Sequence, residues 1–185
     1  MAARVAVLDG RVDPMRDETR RTQSGFLLAD RNRYDDGNAG RHIADELSRE
    51  VDKIWGVQTH PRPDVGAMMA QKERLLALIE PGMTPDERYD YLLSIDPLDY
   101  GKELNADYVL VPFVREARMI QNRAVFWWYS KVAINLQLWD VDKGEVVWEW
   151  KGRDSGYFRS QRWVMEDIAK RARRSLDRKN VIVVQ

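Results

Sequence analysis

"AVFWWYSKVAINLQLWDVDKGEVVWEW", residues 124–150, holds five of the chain's seven tryptophans. Within it Ser130, Val132, Ile134, Leu136 and Leu138 alternate with Lys131, Ala133, Asn135 and Gln137. That period of two gives a strand with one apolar face. "DVDKGE" (140–145) reads as a turn, with Gly144 where a left-handed residue is wanted. The chain returns as "EVVWEWKGRDSGY" (145–157), with Val146, Trp148 and Trp150 on one face and Val147, Glu149 and Lys151 on the other. The stretch is therefore an antiparallel hairpin. Trp148 and Trp150 fall with Val146 and read as core, while Trp139 lies opposite Leu138. Trp127, Trp128 and Tyr129 precede the alternation and are either core or an exposed contact patch.

Upstream, "DYVLVPFVREARMI" (107–120) supplies a strand before the hairpin, with its corner expected over Arg115 to Ala124. "RVAVLDG" (4–10) is a buried strand closed by Asp-Gly. From 11 to 38 the chain is polar, a long loop in which arginines alternate with carboxylates. "NAGRHIADELSREVDKIW" (38–55) is a helix: Asn38 is its N-cap, and Ile43, Leu47, Val51 and Ile54 form one stripe. "WGVQTH" (55–60) is a short strand. "PDVGAMMAQKERLLALIE" (63–80) is a helix with Val65, Met68, Met69, Leu75, Leu76 and Ile79 as its apolar positions, stopped by Pro81-Gly82. Thr84, Pro85 and Glu87 make a capping-box start to the next helix, and Pro97 to Ala106 form another. "SQRWVMEDIAKRARRSL" (160–176) closes the fold as an amphipathic helix, with Trp163, Ile168 and Leu176 inside; "VIVV" (181–184) is an optional last strand. The order β-α-β-α-(α-α)-β-β-β-α predicts a mixed-sheet α/β two-layer sandwich, one domain over residues 1–185.

Thirty basic residues balance thirty acidic ones, so the chain lacks the basic surplus usual in nucleic-acid binding. A nucleic-acid module would have to use the sheet aromatics and the basic run "KRARRSLDRK" (170–179). Cysteine is absent, which excludes disulfides and thiolate metal sites. No 18-residue apolar run spans a bilayer.

The chemistry of catalysis finds little here. A nucleophile would need Ser or Thr assisted by His42, on a helix boundary, or His60, in the loop "THPRP". No GxSxG, HExxH or Walker loop occurs. We expect no catalytic residue, no enzyme activity and no cofactor. Asp9, Asp13, Asp17, Glu18, Asp35 and Asp36 cluster in sequence, but Arg11, Arg16, Arg20 and Arg21 lie among them. A solvated mixed-charge loop is expected rather than a metal site. "DVDKGE" has its glycine one position early for a calcium loop. Candidate partner-binding residues are Trp127, Trp128 and Tyr129, with Tyr157, Phe158, Arg159 and Arg162 of "SGYFRSQRW" (155–163). Aromatic-plus-arginine composition is common at interfaces. Tyr157 and Phe158 alternatively plug the edge of the sandwich.

Four stretches carry a family resemblance: "VAVLDG" (5–10), "GRHIADELSREV" (40–51), "LNADYVLVPFV" (104–114) and "INLQLWDVDKGEVVW" (134–148). In this order they resemble the envelope lipoprotein group that includes the curli-secretion lipoprotein, the lipoprotein activators of penicillin-binding proteins and the amino-terminal domain of the Tol-system translocation protein. The loop after the first strand is longer than that pattern, and the lipobox cysteine is missing from this chain. The resemblance implies a bacterial envelope protein, periplasmic and anchored at the outer membrane through lipid carried outside these residues. It implies an accessory role, docking on another envelope protein or on itself.

Overall fold

The computed structural model describes residues 2–12, 28–31, 39–122 and 127–182. Its elements are β1 (Ala3–Val7), β2 (Arg11–Val12), β3 (Leu28–Arg31), α1 (Ala39–Val51), β4 (Val57–Thr59), α2 (Arg62–Ile79), α3 (Pro85–Ser94), α4 (Pro97–Glu103), β5 (Tyr108–Asn122), β6 (Trp127–Asp140), β7 (Glu145–Tyr157) and α5 (Gln161–Lys179). The sheet runs β4-β1-β5-β6-β7, parallel across β4, β1 and β5, then antiparallel through the hairpin. It is a mixed-sheet α/β sandwich, as the element order predicts.

The expected loop over 11–38 contains two short strands. Both pair with β5 beyond the reach of β1: β2 in parallel at Phe113 and Val114, β3 antiparallel from Met119 to Asn122. β5 outlasts β1 by several residues, and its open edge offers unpaired backbone groups that this segment satisfies. For the same reason the meander has no corner at Arg115. The strand continues through a bulge between Val114 and Glu116 as far as Asn122, and residues 123–126 lie outside the described residues. Asn38 lies outside them too. Of the optional last strand, Val181 and Ile182 pack on the core without strand pairing, and 183–184 are not described.

One sheet face carries α1 and α5. Val5, Val7, Leu110, Val114, Val132, Ile134, Leu136, Leu138 and Trp148 meet Ile43, Leu47 and Val51 of α1 and Val164, Met165, Ile168 and Leu176 of α5. The two helices are also joined by charge. Glu46 and Glu50 are each 4% exposed; Arg162 of α5 lies 3.6 Å from Glu46 and Arg173 lies 3.2 Å from Glu50. Burial opposes ionisation of Glu50, but hydrogen bonds and charge from Lys53 and Arg173 outweigh it and hold its pKa below the usual carboxylate value.

The other face is covered at the β1 end by α2, α3 and α4. There Ala6, Leu8 and Val109 meet Val65, Met68, Met69, Leu92 and Tyr100. β1 is thus buried on both faces, which is why its sequence is a continuous apolar run rather than an alternation. Thr84 and Glu87 complete the expected capping box on α3.

In the hairpin, the even residues Ser130 to Leu138 are buried as predicted. The assignment of Val146 needs correction. A bulge between Leu138 and Trp139 pairs Leu138 with Trp148 but Trp139 with Val146. Val146 therefore shares Trp139's face, and Val147 packs on the helix-side core with Trp148 and Trp150.

Candidate functional site

The two aromatic segments singled out in the sequence lie on neighbouring strands. Tyr129 pairs with Tyr157, and the Phe158 N–H donates to Trp128 O at 2.8 Å. The rings of Trp127 and Tyr157 meet edge-on at 5.7 Å, those of Tyr129 and Tyr157 at 5.0 Å, and those of Trp128 and Phe158 edge-on at 5.3 Å. These geometries suit the aromatic quadrupole. Residues about thirty positions apart in the chain thus form one cluster at the end of the sheet where β6 begins.

Strand alternation divides the cluster. Trp127, Tyr129 and Tyr157 share the face of Lys131 and Ala133, which lies beyond the α2–α4 group; Trp128 and Phe158 fall on the helix side. Trp127, Trp128 and Tyr129 are half-buried, whereas Tyr157 is 64% exposed and Phe158 57%. Phe158 has φ 56°, a left-handed conformation that costs a bulky residue about 1–3 kcal/mol. Its amide bond to Trp128 and the Ser130 hydroxyl, which donates to Arg159 O at 2.6 Å, fix the corner.

The arginines point elsewhere. Arg159 reaches Asp167 and lies 3.7 Å from Asp154, and Arg162 lies beside Glu46. Both brace α5 against its neighbours. Trp163, expected inside, is 60% exposed because the inward positions of α5 are Val164, Met165, Ile168 and Ala169. It adds another aromatic to the start of that helix. Trp148 is buried and stacks on half-buried Trp150 with ring centroids 6.5 Å apart and planes 5° apart. Both serve as core, as expected.

Asp9, the described member of the carboxylate series, ion-pairs with Arg62 and lies 3.8 Å from Arg41. The other five carboxylates lie outside the described residues. No group of three or more candidate metal ligands occurs among the described residues. His60 follows β4; burial, then the nearby Arg4 charge, lowers its pKa, and its buried Nε2 has no hydrogen-bond partner among them. His42 lies half-buried on α1. Arg171 and Arg173 of the basic helix pair with Asp154 and Glu50, on the far side of the sheet from Trp127, Tyr129 and Tyr157. That separation disfavours a nucleic-acid platform combining the sheet and the last helix.

No family model matches the chain, and no curated protein matches it by sequence. Solved structures do. Lipoprotein GNA1162 from Neisseria meningitidis superposes with a TM-score of 0.59 at 13% identity, over 95% of this chain and 99% of that one. A PelC dodecamer from Paraburkholderia phytofirmans superposes with a TM-score of 0.56 at 15% identity, over 95% and 87%. The resemblance to envelope lipoproteins read from the four sequence stretches is thus met at the level of the fold: this chain folds like lipoprotein GNA1162 and PelC along nearly its whole length.

Proposed function

We propose that the chain is a non-enzymatic accessory lipoprotein of the bacterial cell envelope, periplasmic and held at the outer membrane, that works by docking on another envelope component. The observation that carries this reading is the aromatic cluster of Trp127, Trp128, Tyr129, Tyr157 and Phe158. Aromatic side chains bring large contact area with few rotatable bonds, and they are enriched where interfaces concentrate their energy. Phe158 keeps 57% of its surface exposed in a left-handed backbone conformation that a bulky residue rarely adopts. The likeness to a lipoprotein supports the compartment. The partner is a peptidoglycan synthase, a secretion or assembly machine, or further copies of this chain; PelC assembles as a dodecamer, which favours copies.

Fractionating the native gene product, with labelling for attached lipid, tests the compartment. We expect lipid-bearing protein in the membrane fraction. A photo-cross-linker at Tyr157 tests the surface in cells. A discrete cross-linked species should form and weaken about tenfold with Phe158→Gly, which deletes the ring and suits the left-handed backbone. Lipid-free protein in the cytosol, or a hydrolase or transferase activity lost with His60→Ala, would sink the reading.

A further inference from the structure

The most exposed large apolar side chains among the described residues are Trp55 at 88%, Leu78 at 80% and Ile79 at 72%; Leu75 is 53% exposed. Sequence periodicity expects Leu75 and Ile79 to pack. They do not, because α2 outruns the strand beneath it. β1 has five residues, about 17 Å, and α2 has eighteen, about 27 Å. Only Val65, Met68 and Met69 of α2 are buried.

The helix begins beside the C-terminal end of β1, where Arg62 meets Val7 O and Asp9. It runs back along the strand, and Lys72 pairs with Glu103 shortly before β5 starts. Its last turns therefore lie at the end of the molecule where β1 and β5 begin. Trp55 is at that end too, since Ala3 N donates to the carbonyl of its neighbour Gly56 at 2.8 Å. The Trp55 turn is braced by Asp52, whose carboxylate accepts from Thr59 N at 3.0 Å and from Thr59 Oγ1 at 3.2 Å. α5 ends nearby, because Arg173 meets Glu50 near the close of α1; Arg178 and Lys179 in its last turn are exposed.

We propose that this end docks on a lipid bilayer, with Trp55, Leu75, Leu78 and Ile79 entering the boundary between headgroups and acyl chains. The proposal rests on the envelope reading, which supplies the bilayer. The four side chains stand on a turn and a helix tip rather than line one groove, a form that a fluid surface accepts. Arg74 adjoins Leu75 in the chain, Lys53, paired with Glu50, precedes the Trp55 turn, and exposed Arg178 and Lys179 close α5; their long stems can carry charge to anionic headgroups. Asp52, Glu80 and Asp177 lie there as well, so apolar contact dominates and binding persists when salt is raised.

The test uses the full chain with vesicles of equal parts phosphatidylethanolamine and phosphatidylglycerol. Acyl chains carrying bromine should quench the tryptophan fluorescence, and Trp55→Phe should remove that quenching while sedimentation with vesicles remains. Leu78→Asp with Ile79→Asp, both exposed and so tolerated by the fold, should cut vesicle partitioning about tenfold or more. Trp127→Ala, at the opposite end, should leave it unchanged. Failure to bind vesicles, or binding indifferent to the double substitution, overturns the proposal. So does an oligomer in lipid-free solution that the double substitution dissolves, which would assign the surface to a second copy. A chain that binds these vesicles but carries no lipid in cells keeps this surface and loses the lipoprotein reading.

Discussion

Tyr89 and Tyr100 show how burial acts on single residues. Burial, followed by the charge of Asp9, pushes the Tyr89 pKa to about 12; burial, followed by the charge of Glu103, does the same to Tyr100. The Tyr100 hydroxyl donates to Leu92 O at 2.6 Å and ties α4 to α3. An unfolded tyrosine ionises near 10. The fold favours the neutral phenols, so their contribution is complete below pH 10 and is lost as pH rises towards about 12. Phenolate absorbance should show two tyrosines titrating in that upper range, with the melting temperature falling across it. Tyr100→Phe should cost about 1 kcal/mol at neutral pH and remove part of the alkaline slope. A melting temperature flat through this window would contradict the account. Neither shift was legible in the sequence, since the burial that leads both arises only when the helices pack, and the Asp9 charge reaches Tyr89 from the turn after β1. The capping box of Thr84 and Glu87 was legible, because all its atoms lie within one turn.

At the scale of elements, reading succeeded where periodicity is local and failed where two elements set the answer. The alternation of Val132 to Leu138 and the stripe of Ile43, Leu47 and Val51 were each fixed by one strand or helix against one core. The bulge that moves Val146 across the sheet is a property of β6 and β7 together, and a single insertion reverses a face. Trp163 failed for a related reason: α1 and the sheet select Val164, Ile168 and Ala169 as the inward row. The contact of α1 with the β1 turn is another pairwise feature. Gly10 N donates to Gly40 O at 2.9 Å, and a Cβ on Gly40 would stand 1.8 Å from Gly10 O, against backbone. Gly40→Ala should therefore destabilise by about 1–3 kcal/mol. Gly66→Ala in α2, where an added Cβ meets nothing within 4 Å, should instead stabilise by about 0.5–1 kcal/mol through helix propensity. Chemical denaturation of the pair checks the contrast; equal effects would mean that the Gly10–Gly40 approach relaxes without cost.

Across the whole molecule, the two proposed surfaces lie at opposite ends. β6 runs the length of the sheet: its fourteen residues place the Trp127 end about 45 Å from the Asp140 end, where the β6–β7 turn, the start of β5 and the Trp55 turn gather. The sequence pointed to the first end because aromatic and arginine residues cluster along the chain. It pointed away from the second because exposure of Leu75 and Ile79 follows from the length of a helix relative to a strand, a comparison that only the assembled fold makes. Between the ends the core forms two buried clusters, one on each face of the sheet, and neither aromatic corner nor helix tip contributes to them. The two surfaces should therefore act independently. Phe158→Gly and Leu78→Asp combined should show the cross-linking loss of the first and the vesicle loss of the second, each unchanged by the other. Their effects on stability should add within about 0.5 kcal/mol, as for substitutions without shared partners. A larger coupling, or vesicle binding altered by Phe158→Gly alone, would mean that the strands transmit a change along their length. In the proposed arrangement, independence would leave the aromatic end facing away from the bilayer, free to meet a partner while the opposite end rests on lipid.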